Sequence, residues 1–96
     1  MCYGWRYCNI KVPERVALMD KRADILEVIR ILTGREADDY WEATTGSSPF
    51  EPYDEADVDF VVNGEVFALS YDYMLDGSGT ARIFRSTLIF QGSQSA

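Results

Sequence analysis

The stretch DVDFVVNGEVFALS, residues 57–70, constrains the fold more than any other part of the chain. Asn63 and Gly64 separate two apolar runs, and this pair favours a type I′ turn, in which both residues have positive φ. A two-residue turn also fixes the register of the hairpin on either side of it. The cross-strand pairs that it predicts are Val62 with Glu65, Phe60 with Phe67, and Val58 with Leu69.

The two faces of this hairpin differ in polarity, because side chains alternate between the faces of a strand. The aromatic and aliphatic pairs share one face, which we expect to cover helices. DGSGT, residues 76–80, turns the chain again, and ARIFRSTLIF, residues 81–90, adds a third strand to the meander. The opposite face of the hairpin carries Asp57, Asp59, Ser70 and Asp72 beside Val61, Val66 and Ala68.

A helix is predicted between Asp20, as its N-cap, and Gly34, as the residue that follows its last turn. Extending this helix back to Pro13 would put charged residues on its apolar side. The sequence therefore predicts that RVALM, residues 15–19, is a strand joined to the first strand by a Pro-Glu turn. The apolar helix face comprises Ile25, Leu26, Val28, Ile29, Ile31 and Leu32, with Asp24, Glu27 and Arg30 opposite.

A second, shorter helix is predicted over residues 36–44. Ala37, Tyr40, Trp41 and Thr44 have the spacing i, i+3, i+4, i+7, which forms one helix face. Residues 45–56 contain two prolines and show no periodicity, so they are predicted to be a loop.

The first strand is predicted from the alternating aromatics Tyr3, Trp5 and Tyr7. The expected fold class is α+β in a single domain, residues 1–96, with a frayed tail at about 92–96. It consists of an antiparallel sheet, made of the C-terminal three-stranded meander plus an N-terminal strand or hairpin, with two helices packed on one face.

Charge is segregated along the chain. Residues 36–80 contain twelve acids and neither Lys nor Arg, whereas residues 1–35 have a net charge of +3 and residues 81–96 of +2. The total is −7. Surfaces that only confer solubility usually mix the two signs, so this acidic segment, residues 36–80, indicates a functional surface.

Several kinds of chemistry are excluded or disfavoured. The chain has no histidine, which is the commonest general base and metal ligand. Asp54, Glu55, Asp57 and Asp59 lack the glycine of an EF-hand loop. We therefore expect neither an enzyme nor a metal site nor a cofactor. Cys2 and Cys8 are expected to be free thiols, and the lack of a long apolar run predicts a cytoplasmic protein without membrane contact.

The acidic segment predicts a protein partner. Negative surfaces repel nucleic acid and lipid head groups but attract basic surfaces, which are most often nucleic-acid-binding grooves. We therefore expect a non-enzymatic inhibitor that occludes such a groove. In size and charge alone it resembles toxin-immunity proteins and phage anti-defence proteins of the anti-CRISPR type. The residues expected to bind the partner are Asp38, Asp39, Glu42, Phe50, Tyr53, Asp54, Glu55, Asp57, Asp59 and Asp72.

Two alternatives remain open from the sequence. The chain could be a homo-oligomeric structural or assembly protein, with Tyr3, Trp5 and Tyr7 in a dimer interface. It could also be a small domain that binds a ligand or a metal ion through the acidic face of its sheet. A stable dimer in solution would favour the first alternative, and a melting temperature raised by divalent cations would favour the second.

Overall fold

The computed structural model describes residues 6–47 and 49–93, and the side chains of residues 6–9 lie outside this description. Five strands and two helical segments make up the described part of the chain. In chain order they are β1 (Arg6–Pro13), α1 (Glu14–Ala17), α2 (Arg22–Thr33), β2 (Asp39–Ser47), β3 (Asp54–Val62), β4 (Glu65–Leu75) and β5 (Thr80–Ser93).

The strands form one antiparallel sheet in the order β1-β5-β4-β3-β2. Its centre is the predicted meander β3-β4-β5. The N-terminal strand β1 pairs with β5, and β2 pairs with β3 at the other edge. The chain crosses from one edge of the sheet to the other through α1 and α2. The predicted α+β class, with helices on one face of an antiparallel sheet, is confirmed.

The hairpin between β3 and β4 has the register that the Asn-Gly turn predicts. Asn63 and Gly64 have φ values of 49° and 81°, as a type I′ turn requires. Gly34, at which α2 ends, also has a positive φ, of 75°. The three predicted cross-strand pairs are all present, namely Val62 with Glu65, Phe60 with Phe67 and Val58 with Leu69.

The core lies between the helices and one face of the sheet. The hydroxyl of Tyr71 on β4 donates a hydrogen bond of 2.9 Å to the backbone oxygen of Ala17, which ties α1 to the central strand. Burial raises the pKa of Tyr71, so this hydroxyl stays protonated and keeps its donor role. The fully buried apolar side chains of this layer include Val28, Ile29, Leu32, Val58, Phe60, Leu69, Tyr73 and Ile83.

Residues 15–19 do not form the strand that the sequence predicts. Glu14–Ala17 form a single helical turn directly after Pro13, and Met19 adopts a positive φ of 56°. This left-handed residue separates α1 from α2, so the conflict of helical phase is resolved by a break between two helical segments. Asp20 is not the N-cap, because α2 begins at Arg22 after Lys21, whose side chain makes no capping hydrogen bond.

Asp24 also differs from the prediction, which placed it on the polar side of α2. Its side chain is buried, and its carboxylate forms an ion pair with Arg15 of α1. The short helix α1 supplies this cation across the break between the two helices. The buried charge of Asp24 therefore depends on a partner that a single continuous amphipathic helix would not provide.

The prediction of a helix over residues 36–44 is wrong, because the edge strand β2 begins within this segment, at Asp39. The register of β2 shifts at Trp41, which forms a β-bulge against β3. As a result Tyr40 and Ala43 pair with the buried residues Phe60 and Val58, and both face the core. The bulge thus produces in a strand the three-residue spacing that the sequence analysis attributed to a helix.

The remaining boundaries differ in detail. The predicted loop over residues 45–56 is shorter, because β2 continues to Ser47 and β3 begins at Asp54. At the C-terminus, β5 includes residues 92 and 93, which were predicted to be frayed. The aromatic stripe of the proposed dimer interface, Tyr3, Trp5 and the side chain of Tyr7, lies outside the described part, as do Cys2 and the side chain of Cys8.

Candidate interaction surface

The charge segregation of the sequence becomes a segregation across the sheet. The three adjacent strands β2, β3 and β4 contain no Lys or Arg, because all of them fall within the acidic segment. The strands at the other side, β5 and β1, carry Arg82, Arg85 and Lys11. One half of the sheet is therefore acidic and the other half is basic.

Most acids of the three strands point away from the helices. We call this side of the sheet the open face. Its residues are those that alternate with the buried core residues of each strand and pair with one another in the register. On β2 to β5 they include Glu42, Thr44, Glu55, Asp57, Asp59, Ala68, Ser70, Asp72, Arg85, Thr87 and Ile89.

Two pairs of carboxylates stand directly opposite each other on the open face. Glu42 of β2 pairs with Asp59 of β3, and Glu55 of β3 pairs with Asp72 of β4. Neighbouring strands are about 5 Å apart, and residues on one face of a strand repeat at about 7 Å. Like charges at directly opposed positions destabilise a sheet. The open face therefore holds a dense array of negative charge at a cost in stability.

Between the two pairs, Asp57 has a different environment. It stands opposite Thr44 on one side and Ser70 on the other, and the Ser70 hydroxyl donates a hydrogen bond to Asp57 Oδ1. The side chain of Asp57 is exposed. Asp57 thus contributes negative charge to the open face without facing another carboxylate across the strands.

A shallow depression of about 240 Å³ lies in the open face, lined by Glu55, Asp57, Ser70, Thr87 and Arg85 among others. Asp72 forms part of its wall and is only 6% exposed. Its Oδ2 atom lies 2.8 Å from Nη2 of Arg85. Burial raises the pKa of Asp72, as do the nearby charges of Glu51 and Asp57, and the attraction of Arg85 only partly offsets these effects.

This raised pKa has a testable consequence for Asp72. Because the folded protein holds the proton more tightly than the unfolded chain, ionisation of Asp72 lowers the free energy of unfolding as pH rises from about 4 to the raised pKa. We expect NMR titration of the side-chain carbon to give a pKa above the usual value for aspartate. Asp72→Asn should remove this part of the pH dependence. A pKa at or below the usual value would contradict this account.

The loop between β2 and β3 borders one end of the open face. The ring of Tyr53 packs edge-on against Phe84 of β5, with 4.8 Å between the ring centroids. A hydrogen bond with Glu51, together with burial, raises the pKa of Tyr53 to about 12. Phe50 belongs to the same loop and is 92% exposed. Tyr53 is therefore positioned by the sheet, whereas Phe50 presents an apolar ring to solvent.

Three of the predicted acids do not join the carboxylates of the open face. Asp38 lies between α2 and β2, where its Oδ2 accepts a 2.7 Å hydrogen bond from the backbone N–H of Asn63. Asp39 stands opposite Val61 at the end of β2, but its carboxylate forms a 2.6 Å ion pair with Arg22, whose hydrogen bond holds the pKa of Asp39 below its usual range. Asp54 pairs with the buried Tyr73 and so lies on the side of the sheet that carries the helices.

The sequence analysis did not place any residue of β5 on the open face, and two of those it missed matter for binding. Ile89 is 50% exposed and stands opposite Ala68, so it adds apolar area beside the carboxylates. Arg85 pairs directly with Asp72. Both are on β5, whose pairing with β4 contains two register shifts. An alternating pattern cannot assign faces across such shifts, because each one reverses which residues point to the core.

The described part of the chain does not offer a metal site. No three carboxylate or thiol side chains among these residues are placed so that they could hold a metal ion. Asp54, which the sequence analysis weighed with Glu55, Asp57 and Asp59 as a calcium loop, faces the other side of the sheet from these three. The carboxylates of the open face are spread along strands instead of converging on one point.

Comparisons with protein-family models, with curated proteins and with solved structures each give no significant match. Within the described residues, no helix is both long enough and apolar enough to span a membrane.

Proposed function

We propose that this protein is a non-enzymatic interaction module whose open face binds a basic surface of a protein partner. The partner surface that fits best is a nucleic-acid-binding groove, which the bound protein occludes. The observation that carries this proposal is that two pairs of carboxylates stand opposite each other on the open face. They are Glu42 with Asp59 and Glu55 with Asp72.

Opposed like charges cost stability in the free protein, by roughly 0.2–1 kcal/mol for Glu42 with Asp59. The cost is smaller for Glu55 with Asp72, because Arg85 forms an ion pair with Asp72. Binding sites are the places where proteins commonly retain features that reduce stability. A Lys or Arg of a partner that enters between two such carboxylates relieves their repulsion and gains two attractions. The same arrangement therefore destabilises the free protein and stabilises its complex with a basic surface.

The spacing of the array supports a nucleic-acid-binding partner. Carboxylates at about 5–7 Å on a sheet form a closely spaced negative surface. Grooves that bind nucleic acid are lined with Lys and Arg that neutralise several phosphates at once. A surface with several adjacent carboxylates meets the same cations. The net charge of −7 also makes direct binding of this chain to nucleic acid or to anionic lipid unfavourable.

The border of the face supplies apolar contacts. Ile89 within the open face and Phe50 in the adjacent loop are 50% and 92% exposed. Large apolar side chains at the centre or border of an interface commonly provide the desolvated contacts that hold a complex, while charges control the rate of association. We propose a cytoplasmic inhibitor of this type, comparable in size and charge with toxin-immunity and phage anti-defence proteins.

The test is capture of a partner from a lysate of the native cells. The immobilised protein is exposed to lysate at low ionic strength and washed at increasing salt. We expect retention of a basic nucleic-acid-binding protein whose rate of association falls steeply with salt, because steering by charge is screened. Retention of no basic protein, or a complex that salt does not affect, would argue against the proposal.

A single substitution tests the cost of the opposed carboxylates. Asp59→Asn should raise the free energy of unfolding by about 0.2–1 kcal/mol, because it removes the repulsion with Glu42. The same variant should bind the captured partner less tightly. Chemical denaturation and binding titration measure the two effects.

Asp57→Asn is the matched control for this substitution. Asp57 has Thr44 and Ser70 opposite it, so replacing it by Asn removes no repulsion between directly opposed carboxylates. It should weaken partner binding but stabilise the free protein less than Asp59→Asn does, because the carboxylate that Asp57 repels, Asp72, does not stand directly opposite it. If Asp59→Asn is no more stable than the parent, the opposed carboxylates carry no cost, and the observation behind the proposal loses its force.

A further inference from the structure

The strand β2 is an edge of the sheet, and no described element pairs with its outer side. Of its nine residues only Tyr40 and Ala43 are partly buried, and the other seven are exposed. An edge strand presents unpaired backbone N–H and C=O groups to which another extended segment can add. Proteins usually protect such edges with Lys, with Pro or with a bulge.

The two edge strands of this sheet differ in the residues that discourage the addition of another strand. The edge strand β1 contains Arg6, Lys11 and Pro13, which are residues that discourage pairing with another strand. The edge strand β2, DYWEATTGS, contains neither Lys nor Arg nor Pro. Its one irregularity is the bulge at Trp41, and after the bulge residues 42–47 run in regular register with β3. The sequence therefore protects one edge and leaves the other able to accept a strand.

The charges beside β2 determine which segment it accepts. Glu42 lies on the edge strand itself, and Asp59 stands opposite it one strand further in. An added strand would place a side chain directly across from Glu42 on the open face, where a cation completes a favourable cross-strand pair. A second copy of this chain, with a net charge of −7, does not supply that cation on its own β2.

We propose that β2 is the docking edge for an extended basic segment of the partner. The segment adds to the sheet as a sixth strand, with Lys or Arg at alternate positions on the open face. This inference rests on the proposed function and specifies how the partner is bound. Backbone hydrogen bonds along β2 supply affinity, and the alternating cations supply specificity.

Two synthetic peptides of identical composition test the proposal. In TKVKTKVKT all four lysines fall on one face of a strand, whereas in TTKKVVKKT two fall on each face. Hydrogen exchange of the amides in residues 39–47 should slow when the first peptide binds, and the first peptide should bind about fivefold to tenfold more tightly than the second. Equal affinities, or no protection of this strand by either peptide, would overturn the proposal.

Proline substitutions test the backbone contacts. Along an antiparallel edge strand successive N–H groups alternate between the neighbouring strand and the outer side, so either Thr44 or Thr45 directs its N–H outward. Of Thr44→Pro and Thr45→Pro, the outward one should keep the melting temperature of the parent. That variant should bind TKVKTKVKT about tenfold more weakly than the parent. Unchanged peptide binding by this variant would overturn the proposal.

The same variants separate this inference from the proposed function. One outcome is that the captured partner is lost when Glu42, Asp57 and Asp59 are all replaced by lysine and yet is bound normally by the outward proline variant. In that case the open face binds the partner and the backbone of β2 does not. If both proline variants fail to fold, the hydrogen-exchange comparison of the two peptides on the parent protein decides the matter alone.

Discussion

Replacing Glu42, Asp57 and Asp59 together by lysine is expected to weaken partner binding by at least about 100-fold. The three residues lie on the open face of the adjacent strands β2 and β3. Their reversal places three cations where the partner presents its own Lys and Arg. Each substitution changes the charge by +2, so the net charge moves from −7 to −1. Titration of the captured partner at moderate salt measures the loss.

The control is a triple variant with the same net charge, made from Asp20→Lys, Glu36→Lys and Glu65→Lys. These three acids are exposed and lie in the connections and at the hairpin turn, outside the open face. Their reversal should reduce binding no more than about threefold, through weaker long-range attraction. Equal losses in both triple variants would mean that total charge, and not the open face, determines binding.

Replacing Phe60 by alanine is expected to lower the free energy of unfolding by about 3–5 kcal/mol. The ring of Phe60 is fully buried in the core and stacks on Phe67 of β4 with 5.5 Å between the centroids. Small domains have a total stability of about 5–15 kcal/mol. The variant should therefore be close to unfolded at physiological temperature, and urea denaturation should show the shift directly.

Two comparisons make this result specific to the orientation of β3. Phe60→Leu keeps much of the buried volume and should cost less than Phe60→Ala, because the cavity that remains is smaller. The adjacent substitution Asp59→Asn should instead stabilise the protein by about 0.2–1 kcal/mol, because that side chain points to the open face and stands opposite Glu42. A small effect of Phe60→Ala, below about 1 kcal/mol, would contradict the alternation of core and open-face residues along this strand.

The fold could be predicted where local chemistry determines geometry. Asn63 and Gly64 set a turn, the turn sets a register, and the register assigns each residue of β3 and β4 to a face. The end of α2 at Gly34 follows equally from the tolerance of glycine for positive φ. In both cases the signal lies in one or two residues whose backbone preferences are strong.

The prediction failed where irregular backbone changes the period of the side chains. A bulge at Trp41 places Tyr40 and Ala43 on the same face, which imitates helical spacing within a strand. A left-handed residue at Met19 splits what would otherwise be one helix, and the turn before it was mistaken for a strand. Neither feature has a glycine or a turn motif to indicate it, so pattern analysis could not place it.

The sequence predicts that the candidate surface is acidic, but it predicts less well which acids lie on it. Because the acidic segment spans three adjacent strands, its carboxylates reach a common surface, and Glu42, Glu55, Asp57, Asp59 and Asp72 share the open face. Asp38 and Asp39 are instead engaged by the hairpin turn and by Arg22. These contacts join residues 17 to 25 positions apart, and the sequence gives no local sign of them.

In the proposed complex the open face occupies the site at which the partner binds nucleic acid. The direct measurement is competition on the captured partner, in which a labelled oligonucleotide is bound first and this protein is then added. We expect the protein to displace the oligonucleotide, the triple open-face variant to fail, and the control triple variant to succeed. A stable ternary complex of partner, oligonucleotide and this protein would contradict the account, because the two ligands would then occupy separate sites.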